Sequence, residues 1–129
     1  MPTEIESYRD LEAWQLGMKL AEDVYTLTRL FPREELYGLT AQLRRASVGV
    51  PSNVAEGQQH GFGRTYLRYV SIALGCEAEV QTQLELAIRV KLAKKEQVRP
   101  VLELASRTGK VLRGLKRSLK RRTSGTKLP

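Results

Sequence analysis

A single cysteine, Cys76, and a single histidine, His60, are all that this 129-residue chain has of the side chains that most often carry nucleophilic or metal chemistry. One cysteine cannot close an internal disulfide, and the reducing cytosol is its natural setting. His60 stands in a Gln-Gln-His-Gly turn with no second ligand at metal-binding spacing, so it reads as a solvated loop residue and no metal is expected. A nucleophilic thiol needs a base or a cation beside it. Cys76 falls at helical spacing between Ala73 and Val80 and reads instead as a core thiol. Ser47 and Ser52 lack the Gly-x-Ser-x-Gly setting, and neither a phosphate loop nor a dinucleotide fingerprint occurs, so no cofactor is expected. No stretch approaches the roughly 18 apolar residues of a membrane span. The segment Met1 to Asp10 is acidic and has no apolar signal core, which points to a cytoplasmic protein without a membrane partner. Strand alternation and Asn-Gly hairpin signals are missing too. The remaining hint of catalysis is Glu77, Glu79 and Glu85 as a nuclease cluster. Glu77 and Glu79 are two apart on a helix, face different sides and cannot easily share a cation. The expectation is a protein that is not an enzyme.

What is present is helical periodicity. A hydrophobic content of 41% with 28% charged residues is enough for one globular core. Four segments carry apolar residues at three- and four-residue steps. The first spans about 8–30 and has two stripes: Leu11, Trp14, Met18, Ala21 and Tyr25 on one, Leu16, Leu20, Val24, Leu27 and Phe31 on the other. Together they make a face too broad for one partner helix, and Pro32 ends the segment. The second spans 33–57 through Leu36, Leu39, Leu43, Ala46 and Val50, and stops at Gly57. The loop from Gln58 to Gly63 reads as exposed. The third spans 64–90 through Tyr66, Tyr69, Ala73, Cys76, Val80, Leu84 and Ala87. Gly75 inside it costs on the order of 1 kcal/mol relative to alanine, so a close helix approach is expected there. The fourth spans 95–120 through Val98, Val101, Ala105, Thr108, Leu112, Leu115 and Leu119, with Pro100 tolerated near its start. At about 1.5 Å per residue the helices reach roughly 35–40 Å. Short connections predict an all-α, up-down-up-down four-helix bundle over residues 1–122, with a flexible basic tail at 123–129. Apolar stripes on more than one side predict an oligomer.

The run Gln42 to Gly57 is unusual in placing Pro51 where a helix should continue. Proline has no N–H to give the carbonyl of Ser47, so a kink is expected there. Ser52 or Asn53 then caps a restarted turn, with Glu56 in reach of the same amides. Arg44, Arg45, Asn53 and Glu56 are read as a structural polar network at this kink, in which an arginine pairs with Glu56 or Glu77.

Charge is strongly polarised. Residues 1–90 hold nine Lys/Arg and twelve Asp/Glu, whereas residues 91–129 hold thirteen Lys/Arg and two Asp/Glu. A basic end of that density attracts polyanions. Lys110, Arg113, Arg117, Lys120 and Arg121 recur along one helical face, flanked by Lys116 and Arg122. Such a row matches phosphates as charge, with little base information, so RNA or DNA is the expected partner. Aromatic residues that could stack with bases are not evident near it, which argues against a dedicated single-strand sequence reader.

Several separated stretches together carry a family resemblance: Tyr8-Arg9-Asp10-Leu11-Glu12-Ala13-Trp14-Gln15, then Phe31 to Thr40, Arg44 to Gly57, and Ile72 to Leu84. In these the chain resembles the bacterial four-helix-bundle proteins encoded in rRNA intervening sequences. The resemblance covers roughly residues 8–92; it weakens over the fourth helix and is lost in the tail. It implies a four-helix bundle assembled as a homopentameric ring. A related branch, the accessory variability determinants of diversity-generating retroelements, binds nucleic acid and a reverse transcriptase. The resemblance therefore also admits a protein-interaction adaptor, such as an accessory partner of a reverse transcriptase.

Overall fold

Short caps and breaks set where each helix begins. In the computed structural model, which describes residues 6–61 and 63–126 with side chains given as far as residue 123, the chain opens on a 3-10 turn, Tyr8–Asp10. The Ser7 hydroxyl accepts from the Arg9 N–H at 3.0 Å, and the Asp10 carboxylate accepts from the Glu6 and Ser7 N–H groups at 3.0 and 3.1 Å. This turn satisfies itself, and Leu11 follows with extended backbone. The first α-helix, α1, therefore runs Glu12–Thr28 and begins later than the periodicity suggests. Pro32 ends the segment as expected, and a second 3-10 turn, Arg33–Glu35, delays the next helix to Leu39. Glu35 accepts the Leu39 N–H at 3.2 Å there.

The helix α2 spans Leu39–Gln59, α3 spans Arg64–Arg89 and α4 spans Lys95–Thr126. A left-handed Lys91 (φ 65°) closes α3, where Leu92 donates to the Ala87 carbonyl at 2.9 Å and Lys91 to that of Ile88 at 3.0 Å. The Gln97 side chain accepts the Lys94 N–H at 2.9 Å and starts α4. That helix continues past the expected end at residue 120, through Thr126, so the start of the expected tail is helical. Residues 127–129 lie outside the described residues, as do 1–5.

Each helix packs on its chain neighbours, and α4 closes the square against α1; the diagonal pairs do not meet. The four-helix bundle is thus as the periodicity predicts. At one end of the core Leu20, Val24, Leu43, Val80, Leu84, Val98 and Ala105 interlock, and at the other Ala13, Val50, Val54, Val70, Ala73, Leu112 and Leu119 do so. The second of the two α1 stripes lies in this core. The first is split: Leu11 and Trp14 pack against the core, whereas Met18 and Tyr25 are exposed.

The helix does not open at Pro51: α2 is helical from Leu39 to Gln59, with Pro51 buried inside it. Gly17 of α1 explains how the ring is accommodated. A Cβ there would lie 3.2 Å from Pro51 Cδ and 3.0 Å from Val50 Cγ1, so the absent side chain lets the ring seat against α1. Burial of the ring offsets part of the cost, about 3 kcal/mol, of a proline in a helix interior. No new N-terminus forms, so neither Ser52 nor Asn53 acts as a cap. Gly75 also differs from expectation. Nothing lies within 4 Å of where its Cβ would stand, and the close approaches of α2 to α3 fall instead at Gly49, against Cys76, and at Gly57, against Tyr66 and Tyr69.

Candidate nucleic-acid interface

The outer face of α4 collects the cations because its inner face, from Val98 to Leu119, is apolar apart from Thr108, whose buried hydroxyl donates to the Leu104 carbonyl at 2.7 Å. Lys110, Arg113, Arg117, Lys120, Arg121 and Arg122 are exposed, and Lys116 is half-buried. Among the described residues the ion pairs are Lys19–Asp23 at 3.1 Å and Arg107–Glu12 at 3.9 Å. Lys110, Arg113, Lys116, Arg117, Lys120 and Arg121 therefore have no described carboxylate within 4 Å. Arg113 differs from the rest in reaching toward α3. With Glu77, Glu85 and Arg89 it lines a shallow groove of about 610 Å³. There Glu77 is buried and accepts from the Gln81 amide, and Gly109 lets α4 lie against it: a Cβ would come 2.9 Å from Glu77 Oε1.

Antiparallel packing brings the start of α3 to the same bundle end as the last cations of α4. Burial raises the pKa of the Tyr66 hydroxyl above its usual 10.0, while the charge of Arg122 acts in the opposite sense. Arg64 and Arg68 stand exposed on successive turns at this end. Beside them Tyr69 donates to Glu56 Oε2 at 3.1 Å, and that hydrogen bond, with the Glu56 charge, keeps the hydroxyl protonated to higher pH than normal. His60 stacks on Tyr69, with ring centroids 5.5 Å apart and planes 8° from parallel. His60 is the exposed loop residue expected, but it is not isolated.

The four residues read as a kink network are not joined to one another. Arg44 donates to Thr28 Oγ1 at 2.9 Å and lies 4.6 Å above the Tyr25 ring, tying α2 to α1. Arg45 is exposed. Asn53 donates to the Gly49 carbonyl at 2.7 Å, one turn back on its own helix. Glu56 serves Tyr69. Among the described residues neither Glu56 nor Glu77 pairs with an arginine. The Ser47 hydroxyl is buried and donates to the Arg44 carbonyl at 2.9 Å. Cys76 is half-buried against Gly49, and burial, then Glu79, push its thiol above the usual 9.0. No group of three or more His, Cys, Asp or Glu among the described residues could hold a metal ion, so the three glutamates do not converge. No described helix is long and apolar enough to cross a membrane.

On the α1–α2 side an open cleft of about 640 Å³ is lined by Trp14, Met18, Tyr25, Val48 and Pro51, among others. Near it Tyr37 is 93% exposed and Leu36 is exposed. The sequence reading missed Arg64, Arg68 and Tyr69 as surface groups. Their signal was the i, i+4 arginine pair directly after the glycine-punctuated loop, masked by the net negative charge of the first 90 residues.

Fold and surface together define a square four-helix bundle with one strongly basic helix. The chain belongs to the 23S rRNA-intervening sequence protein family, whose family model matches residues 9–114. The bundle is similar to a crystal structure of a protein of unknown function from the S23 ribosomal protein family of Bacteroides thetaiotaomicron. That match has a TM-score of 0.75 at 20% identity and covers 81% of this chain and 97% of the other. No curated protein matches the chain in sequence. The family match reaches into α4 as far as residue 114, so Lys116, Arg117, Lys120, Arg121 and Arg122 lie beyond it.

Proposed function

We propose that this protein is a non-enzymatic, homo-oligomeric nucleic-acid-binding protein whose α4 face holds phosphates with little sequence preference. The observation that carries this reading is that Lys110, Arg113, Arg117, Lys120 and Arg121 are exposed along α4 with no described carboxylate within 4 Å. Unneutralised charge at this spacing releases counterions from a polyanion on contact, which supplies affinity without base readout. Membership in a family named for a 23S rRNA intervening sequence favours RNA as the polyanion. The exposed stripe of α1 beside the 640 Å³ cleft supports self-association, because a lone bundle leaves that apolar surface in water. In the pentameric ring that the family resemblance implies, the basic face occurs five times and weak contacts add up by avidity. The cleft also favours a second reading, an adaptor that docks a protein partner such as a reverse transcriptase. Recovery of one stoichiometric protein after nuclease treatment is the result that would favour it.

The test is charge removal at Lys116, Arg117, Lys120, Arg121 and Arg122 by substitution to Gln. Binding to a structured RNA and to duplex DNA should weaken by on the order of 10²–10³-fold at moderate salt, with a flatter salt dependence and unchanged oligomer mass. Unchanged affinity would sink the reading.

A further inference from the structure

We propose that the bundle end at the start of α3 is a seat for unpaired nucleotides, so that the partner carries a single-stranded stretch beside its phosphate-rich structured part. This rests on the phosphate reading of α4 and adds to it a ligand class and four residues: His60, Arg64, Arg68 and Tyr69. A row of cations does not distinguish paired from unpaired strands. An exposed ring does, because bases within a duplex already stack on each other, whereas an unpaired base has a free face.

The seat is built in advance. Gly57 sets it, since a Cβ there would stand 2.8 Å from Tyr69 Cβ and 3.0 Å from Tyr66 Cδ1. Only a glycine lets α2 end this close to the start of α3. Glu56 then holds the Tyr69 hydroxyl at 3.1 Å, which fixes the ring, and Gly61, with φ 81°, follows directly on His60. His60 lies on Tyr69 at 8° from parallel and is itself exposed. His60 is thus exposed while its ring is already paired with tyrosine, so a base added to it extends an existing stack with little further loss of side-chain freedom. Arg64 and Arg68 supply exposed charge within a turn or two of the rings, with no described carboxylate within 4 Å. The Glu56 carboxylate repels phosphate from the hydroxyl edge of Tyr69, which leaves the arginine side for the strand. The end of α4, with Lys120 and Arg121, lies at this same bundle end and continues the cationic path.

The test measures binding of the full chain to fluorescent oligouridylate, oligodeoxyuridylate and a blunt duplex, each about 20 nucleotides long, across a salt series. His60→Ala should weaken binding to the single strands by about 5- to 10-fold and to the duplex by less than about 2-fold. His60→Trp should restore single-strand binding. Arg64→Gln with Arg68→Gln should reduce the single-strand salt slope by about 1.4, the amount expected for two lost phosphate contacts. Equal losses on the two single strands mean that the seat takes bases irrespective of sugar; a loss confined to oligouridylate means that the ribose is read as well. Both outcomes support the seat and name its source. Single-strand affinity unchanged by His60→Ala, in a variant that melts like the parent, overturns it and identifies the stack as a loop anchor. A parent protein that binds duplex but not single strands also overturns it, while leaving the α4 reading intact. Single-strand binding that depends on His60 and survives removal of the α4 charges still supports the seat; the α4 reading fails where binding to duplex and structured RNA survives that removal as well.

Discussion

Glycine shows at single residues how far a sequence specifies contact. Gly75 stands inside a long amphipathic helix, and its cost there suggested a close approach. It faces open space, and the tight contacts fall at Gly49 and Gly57. Periodicity says which residues share a face; it does not say which neighbouring helix covers that face or how nearly. Two substitutions separate the cases. Gly57→Ala places a Cβ against the rigid Cβ of Tyr69 and 3.3 Å from the Tyr66 carbonyl oxygen, and should lower stability by about 1–3 kcal/mol in denaturant titration. Gly75→Ala fills only solvent and gains helix propensity, so stability should rise by about 0.5–1 kcal/mol. The reverse order of these two variants would contradict the packing of α2 on α3. Residue-level legibility was also poor for Arg44, Arg45, Asn53 and Glu56. Their clustering around Pro51 suggested one network, but successive positions on a helix point in different directions, and each finds a separate neighbour.

Among the elements, α3 was read almost to the residue and the others in existence more than in extent. Long stripes such as Val98 to Leu119 leave little room for another structure. The starts of α1 and α2 were misplaced because Tyr8–Asp10 and Arg33–Glu35 form 3-10 turns, whose spacing resembles that of an α-helix over so few residues. The seating of the Pro51 ring is not legible in α2 itself, because the residue that accommodates it, Gly17, lies on another helix. Between α1 and α2 the specific link is Arg44, hydrogen-bonded to Thr28 and stacked on Tyr25. Arg44→Ala should cost about 1–2 kcal/mol in thermal or urea unfolding, from one lost hydrogen bond and one cation–π contact. Arg44→Lys should recover only part of this, because an ammonium lacks the planar fork that makes both contacts at once. Full recovery by lysine would mean that charge alone matters at this position.

For the whole molecule, the asymmetry of charge was legible in the sequence and its surroundings were not. The polarisation between residues 1–90 and 91–129 becomes a spatial one because α4 runs along one side of the square with its apolar face inward. What sequence could not show is that Arg64 and Arg68, from the net acidic part of the chain, stand at the basic end, or that His60 and Tyr69 form an exposed stack there. Both depend on α3 and α4 being antiparallel neighbours. The apolar cleft on the α1–α2 side likewise follows from which of the two α1 stripes the core takes up. Leu20, Val24, Leu27 and Phe31 of the second stripe are buried, whereas Met18 and Tyr25 of the first stay exposed beside the cleft.

The central claim is that α4 presents a phosphate-binding surface, and the most direct measurement is a salt series on the purified protein. Affinity for a structured RNA and for duplex DNA would be determined from low to moderate salt, with mass measured in the same buffer. About five phosphate contacts on one copy predict a slope of log affinity against log salt near −4.5 for duplex, steeper if several copies engage together. The account predicts an oligomer whose affinity falls this steeply for either polyanion. A well-formed oligomer that binds neither at low salt would contradict it, reduce the basic helix to a solubilising surface, and leave the α1–α2 cleft as the leading interaction site.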